Sequence, residues 1–152
     1  MIELEVQRLV DDPQIPDDAC FRGWVESVLG EQGPCAVNLR VVDLAEGWAL
    51  NREWRGKDSA TNVLSFPADM PEVDGARILG DVVLCAPVIE QEASEQGKSL
   101  DAHWAHLVIH GLLHLLGFDH ITGKQATAME TREIEFLGRL GFSNPYETNH
   151  GI

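Results

Sequence analysis

The chain has 152 residues, of which 44% are hydrophobic and 24% are charged. These are ordinary values for a soluble globular protein, so we expect a single domain over residues 1–152. The net charge of −14 at pH 7 ordinarily speaks against a nucleic-acid partner, because an acidic surface repels the phosphate backbone. That inference concerns the mean charge, however, whereas binding depends on local patches.

Export and membrane insertion are not expected from the sequence. Residues 1–5 are acidic and alternating, which is not the pattern of a signal peptide. The longest uncharged stretch, within residues 102–118, contains several histidines and is too short to span a membrane. Cys20, Cys35 and Cys85 are far apart and form no C-x-x-C pair. We therefore expect reduced thiols in a cytoplasmic protein without a thiolate zinc site or a membrane partner.

The first half of the chain predicts two strands and two helices. Residues 2–7 and 37–42 alternate apolar with other side chains, as half-buried strands do. Residues 17–30 carry apolar side chains at helical spacing, and we assign their aromatic stripe to the core. Residues 44–54 predict a weaker helix.

The second half begins with a strand over residues 62–67, whose proline favours an edge position. Residues 68–76 are rich in Pro, Asp and Gly and predict an exposed loop. Residues 78–85 are apolar enough for a central strand, and Pro87 suits the first turn of a helix that ends at Gly97.

Two further helices complete the pattern. The first begins at Ser99 and is apolar nearly all round, so we expect it to be buried against the sheet. The second follows a capping box at residues 122–125 and stops at Gly141, and we expect the tail from Ser143 to fray. The order of elements predicts an α/β (α+β) domain with a small mixed four-stranded sheet and about five helices.

Three histidines at a set spacing indicate a metal site. His110 and His114 lie one turn apart on the same helical face, about 6 Å apart along the axis. Gly117 can adopt the left-handed conformation that ends the helix, so that His120 is offered from the following turn. Three imidazole ligands leave a fourth position open, which is the catalytic rather than the structural pattern of zinc. We therefore predict one zinc ion per chain and no small organic cofactor.

The residue after the first histidine helps to decide which class of zinc enzyme the motif fits. The spacing H-x-x-x-H-x-x-G-x-x-H is also that of metzincin proteases, in which a Glu after the first His is the general base. Here that position is Gly111, which disfavours proteolysis by that route. The zinc deaminases are disfavoured too, because their H-x-E and P-C-x-x-C motifs are absent.

Five segments carry a more specific pattern: Arg55-Gly56-Lys57-Asp58, Thr61 through Pro67, Leu79-Gly80-Asp81, Ala102 through His106, and His110 through His120. In these segments the sequence resembles the YbeY family, bacterial single-strand endoribonucleases implicated in ribosomal RNA maturation. The resemblance implies a cytoplasmic, zinc-dependent endoribonuclease that acts near the 3′ end of small-subunit rRNA and in ribosome quality control. It also implies zinc ligation by His110, His114 and His120, and a functionally important arginine at Arg55. Ribosomal RNA, the small subunit and assembly proteins would be its partners.

Several residues have two possible interpretations. Arg55 can hold a phosphate bidentately beside the metal, or it can be purely structural. Arg52, Lys57 and Arg77 are weaker candidates for contacts with the RNA backbone, although Arg52 to Lys57 could be only a solvated charged turn. Asp119 can orient a histidine ligand or can cap nearby backbone in a turn. His103 and His106 share the face of His110 and His114, and we interpret them as hydrogen-bonded or half-exposed neighbours of the site.

Three functions remain open at this stage. The first is a metal-dependent endoribonuclease that hydrolyses phosphodiester bonds with a metal-activated water and an arginine at the phosphate. The second is a non-catalytic ribosome-assembly factor whose zinc is structural, which a fourth protein ligand such as Asp119 would favour. The third, a zinc peptidase with an unusual base, is the least supported. No general base can be assigned from the sequence.

Overall fold

A computed structural model of the chain describes residues 2–69, 72, 73 and 75–147. Its strands are β1 (Ile2–Arg8), β2 (Cys35–Val42), β3 (Val63–Pro67), β4 (Glu72–Val73) and β5 (Ala76–Cys85). Its helices are α1 (Asp18–Leu29), α2 (Leu44–Arg55), α3 (Ala86–Gln96), α4 (Leu100–Leu115) and α5 (Gly123–Arg139). In this part of the chain no helix is both long and apolar enough to cross a bilayer.

The strands form one mixed sheet in the order β1-β2-β5-β3. β1, β2 and β5 are parallel, and β3 runs antiparallel to β5 at the edge. Parallel neighbours need crossover connections, which α1 and the segment containing α2 supply. The α+β fold with a small mixed sheet and five helices is therefore confirmed, including the central position of β5 and the edge position of β3.

The predicted loop over residues 68–76 is partly wrong. Glu72 and Val73 form the short strand β4, which pairs antiparallel with the beginning of β5. β5 itself starts at Ala76, two residues before the predicted start of that strand. Neither difference is visible in the hydrophobic pattern, because a two-residue edge strand is held by backbone hydrogen bonds and not by burial.

The local signals at helix ends are confirmed. The side chain of Asp17 caps α1, and that of Ser99 caps α4 by accepting from the Ala102 N–H at 3.1 Å. The capping box of Thr122 and Gln125 opens α5. Each of these caps uses residues within four positions of one another, which is why they can be read from the sequence.

α4 is buried between the sheet and α1, α3 and α5. Its buried side chains include Trp104, Val108, Ile109 and Leu112, all at 0% exposure. The aromatic stripe of α1 packs on it, since Phe21 meets Trp104 edge-to-face at 5.8 Å between ring centroids. Both expectations are confirmed: α4 lies against the sheet, and the stripe belongs to the core.

Gly111 permits the close contact between α4 and the sheet. A Cβ at this position would lie 2.5 Å from Cγ1 of Val82 and 3.3 Å from Oγ of Ser65. The Ser65 hydroxyl donates to the Gly111 carbonyl at 2.9 Å, which ties β3 to the helix. The residue that replaces the metzincin glutamate therefore has a packing role.

We predict that Gly111→Ala destabilises the fold by about 1–3 kcal/mol, because the added methyl group overpacks the contact with Val82. Gly138→Ala is the matched control, since a Cβ there has no neighbour within 4 Å and alanine favours helix by up to about 1 kcal/mol. Urea denaturation followed by circular dichroism measures both. Equal stability of the Gly111→Ala variant and the wild type would contradict the packing role.

A second prediction concerns pH. Burial of the Glu90 carboxyl, together with its hydrogen bond and proximity to Asp12, raises the pKa of Glu90 from 4.5 to about 7. Between these values the folded chain binds more protons at this site than the unfolded chain, so the Glu90 contribution to stability falls as pH rises. We expect the stability of the wild type relative to Glu90→Gln to decrease from pH 5 to pH 8 in urea titrations. A stability difference that does not change with pH would contradict this.

Candidate metal centre

The end of α4 presents the third histidine of the motif. Gly117 has φ = 102°, the left-handed conformation expected at this position. The Phe118 N–H donates to the Leu113 carbonyl and the Gly117 N–H to the His114 carbonyl, both at 3.0 Å. These two bonds are the Schellman motif that terminates a helix and reverses the chain. The reversal brings His120 back toward the helix.

The structure brings His110, His114 and His120 together. One ring nitrogen from each lies within 4.8 Å of the others. The ring centroids are separated by 4.7 Å for His110 and His114, 5.0 Å for His114 and His120, and 5.6 Å for His110 and His120. Ligands of a tetrahedral zinc ion lie about 3.4 Å apart, a separation that small side-chain rotations reach.

The donor set fits a borderline metal such as zinc. Three neutral imidazoles are a common set for a metal ion that retains an open position. Burial, together with the proximity of His110, His120 and Arg55, lowers the pKa of His114 from its ordinary value and so favours its neutral, ligating form. Among the described residues, no cysteine or carboxylate oxygen joins the group.

The histidines open onto a cleft of about 760 Å³. One wall is the end of α2 with its connection to β3, the floor is β3, and the other wall carries the histidines. Lining residues are Arg55, Lys57, Ser59, Thr61 and Asn62 on the first wall, Val63 to Ser65 on the floor, and Asp119, His120 and Ile121 on the second. The cleft thus combines a metal-binding donor set with two cationic side chains.

The four predicted cations are not all at the cleft. Arg55 and Lys57 line it, whereas Arg52 lies beside Trp48 and Glu53 on the outer face of α2. Arg77 is at the start of β5, opposite Glu72 of β4. The structure therefore separates the candidates, and contacts of Arg52 or Arg77 with RNA stay a prediction.

Two hydrogen bonds hold the wall that carries Arg55. The indole N–H of Trp48 donates to Asp58 at 2.8 Å, and the side-chain amide of Asn51 donates to the Ser59 carbonyl at 2.6 Å. Asn51 is 2% exposed, so its amide has little access to solvent if this bond is lost. The connection after α2 is in this way fixed against the helix end.

Asp119 stabilises the turn before His120. Its carboxylate accepts from the His120 backbone N–H at 2.7 Å. The bond reaches the backbone of the histidine and not its ring. Asp119 also lines the cleft, and its predicted role in orienting a ligand stays a prediction.

Sequence reasoning missed Glu133 of α5. Its carboxylate is fully buried and contacts His106, His110 and Tyr146. Burial alone would raise the pKa of Glu133, but the hydrogen bonds from these three residues outweigh it and lower the pKa to about 2. Its position offered a signal, because it falls on the apolar face of α5, four residues from both Met129 and Leu137.

The remaining histidines of α4 are hydrogen-bonded, as expected. His103 is buried and contacts Glu92 at 2.9 Å, while His106 contacts Glu133. Fraying was expected from Ser143 onward, and residues 148–152 lie outside the described residues. Within the described part, Tyr146 contacts Glu133, and Lys98 donates to the Pro145 carbonyl at 3.2 Å.

The α+β fold places three histidines that could hold a metal ion at a cleft with Arg55 and Lys57. This combination is that of a candidate metal-dependent hydrolase. Residues 10–141 match the family model of Endoribonuclease YbeY. The chain belongs to the YbeY family, as its resemblance predicted.

Related proteins support this assignment. Endoribonuclease YbeY of Pseudomonas putida (strain W619) is 55% identical over 148 residues, covering 96% of this chain and 94% of its own. The protein of the same name from Methylococcus capsulatus is 52% identical, with 96% of each chain covered. The solution structure of TM1509 from Thermotoga maritima is 25% identical with a TM-score of 0.59, covering 100% of this chain and 99% of its own.

We predict that Gly117→Ala costs about 1–2 kcal/mol of stability, because the left-handed conformation is strained for a residue with a Cβ. It should also weaken zinc binding, since the turn that presents His120 is displaced. Gly138→Ala again serves as the control. Chelator competition and urea denaturation measure the two effects, and unchanged values for Gly117→Ala would contradict the prediction.

Proposed function

We propose that the chain is a zinc-dependent, single-strand-specific endoribonuclease that matures the 3′ end of small-subunit rRNA and acts in ribosome quality control in the cytoplasm. One observation carries the proposal: the three-histidine group and Arg55 line the same cleft. The names of the relatives support RNA as the substrate. The free thiols of Cys20, Cys35 and Cys85 support a reducing compartment.

One zinc ion per chain would be held by His110, His114 and His120. When bound, it would supply Lewis-acid chemistry, polarising a phosphate oxygen and making water more acidic. Asp119 is the one carboxylate among the described residues that line the cleft, and it is not part of the donor group. This arrangement favours an open, catalytic centre over the structural zinc of an assembly factor.

Arg55 would bind the phosphate of the scissile bond. A guanidinium presents two parallel N–H donors to phosphate oxygens and keeps its charge at all relevant pH values. At the cleft, it would stabilise the negative charge that develops on those oxygens. Lys57, on the same wall, is placed to contact the neighbouring phosphate backbone.

The cleft also accounts for local attraction of RNA to an acidic chain. Arg55 and Lys57 lie at the cleft, whereas most of the 25 acidic residues lie elsewhere. At physiological salt, charges beyond about 8 Å are largely screened, so Arg55 and Lys57 would act on RNA at short range despite the net charge of the chain. Ile121, which lines the cleft and is 81% exposed, would offer an apolar contact to an unstacked base.

Two routes of attack on the phosphodiester are compatible with this site, and each would need a different proton acceptor. Direct attack by water on phosphorus leaves a 5′-phosphate, whereas attack by the ribose 2′-OH leaves a cyclic phosphate. The end groups of the products distinguish them, as mass spectrometry of a short cleaved RNA would show.

The proposal is tested with a labelled structured RNA that carries a single-stranded 3′ tail, at one fixed salt concentration. We expect His114→Ala to lose both zinc and cleavage. Arg55→Gln should keep zinc and lose about 10²- to 10³-fold in kcat, because it removes one charge-stabilising donor group. Arg22→Gln, which removes the same charge from an exposed ion pair on α1, is the matched control.

Zinc content is measured by elemental analysis of the same preparations. If zinc is bound but His114→Ala and Arg55→Gln cleave RNA as fast as the wild type, the cleavage comes from a contaminant. The zinc would then be structural, and binding to the small subunit would become the better hypothesis.

A further inference from the structure

Glu133 is a charged residue in an apolar setting. It lies on the inner face of α5 with Met129 and Leu137, and its exposure is 0%. A buried carboxylate is costly unless donors surround it, because burial removes its hydration. The donors that stabilise Glu133 therefore define what this residue does.

The two oxygens of Glu133 have different partners. Oε1 is 2.5 Å from Nε2 of His106 and accepts from the Tyr146 hydroxyl at 2.6 Å. Oε2 is 3.3 Å from Nδ1 of His110. Oε1 thus contacts α4 and the segment that contains Tyr146, and Oε2 faces a proposed metal ligand.

These contacts determine which ring nitrogens carry hydrogen. An ionised carboxylate can only accept, so Nδ1 of His110 must be the donor. The lone pair of His110 is then on Nε2, the nitrogen left for a metal ion. His106 presents the other ring nitrogen to Glu133, because its Nε2 faces the carboxylate while its buried Nδ1 has no partner among the described residues.

We propose that Glu133 is a positioning residue of the metal centre, which fixes the ring orientation and tautomer of His110 and thereby strengthens metal binding. The proposal rests on the proposed function only in taking His110 as a metal ligand. Its logic is that of carboxylate–histidine–metal arrangements, in which the outer carboxylate raises the basicity of the ligand.

The anchoring of Oε1 gives this role a structural basis. The contact with His106 holds Oε1, which leaves Oε2 directed at His110. Among the described residues, the side chain of Asp119 bonds the backbone of His120 and not a histidine ring. Glu133 thus contacts the ring of a proposed ligand, whereas the observed bond of Asp119 goes to a backbone N–H.

Under the alternative, purely structural role, Glu133 would only link α5 to α4 through its hydrogen bonds. The two oxygens allow the roles to be separated. Tyr146→Phe removes a donor from Oε1 and leaves the contact between Oε2 and His110 in place. Glu133→Gln keeps the shape of the side chain but removes the charge that holds hydrogen on Nδ1 of His110.

The test measures zinc affinity of the full-length apo chain by competition with a chromophoric chelator, without RNA. We expect Glu133→Gln to bind zinc roughly 10- to 100-fold more weakly, the loss typical of such outer partners. Tyr146→Phe should stay within about threefold of the wild type, even if its melting temperature falls. Glu133→Asp keeps the charge but shortens the reach of the carboxylate, and we expect it to bind zinc more weakly as well. It provides the test if Glu133→Gln fails to fold.

Long-range ¹H–¹⁵N spectra of the apo chain provide a second readout. In the wild type we expect His110 to carry hydrogen on Nδ1, and in Glu133→Gln a mixture of tautomers, while Tyr146→Phe should resemble the wild type. Folded Glu133 variants with wild-type zinc affinity and an unchanged His110 spectrum would overturn the proposal. So would an equal loss of affinity in Tyr146→Phe, which would point to the fold alone. Because no RNA is used, these results are independent of whether the chain cleaves RNA.

Discussion

The contact between α4 and the sheet at Gly111 is the constraint on which the rest of the structure depends. It allows the helix backbone to approach Val82, and the Ser65 hydroxyl fixes the helix along its axis through the Gly111 carbonyl. With that face against the sheet, the neighbouring positions His110 and His114 are turned toward the cleft. A side chain as large as glutamate at this position would have no room. The same contact therefore packs the core and orients the histidines of the candidate metal centre.

Charged side chains of opposite sign lie on either side of the histidines of α4. Its histidine face is bordered by a buried carboxylate, Glu133, on one side and by Arg55 on the wall of the cleft opposite. A metal ion at the histidines would thus lie between an anionic support and a cationic substrate contact. This arrangement would favour a bound cation without neutralising the surface that we propose binds RNA.

Most of the fold could be predicted because its signals are local. The caps at Asp17, Ser99 and Thr122 and the turn at Gly117 depend on residues a few positions apart. The spacing of His110, His114 and His120 is of the same kind. Short strand β4 and the contact of Glu133 with His110 could not be predicted, since they depend on tertiary pairing. Arg52 and Arg55 could not be told apart in this way, because helical spacing alone did not show which of them faces the cleft.

The most direct measurement is the location of the metal itself. Crystals of the full-length chain grown with one equivalent of zinc would be examined by anomalous diffraction at the zinc edge. We predict one peak within about 2.0–2.2 Å of a nitrogen of each of His110, His114 and His120, with solvent in the fourth position. A peak at another site, or a fourth ligand supplied by the protein, would contradict it.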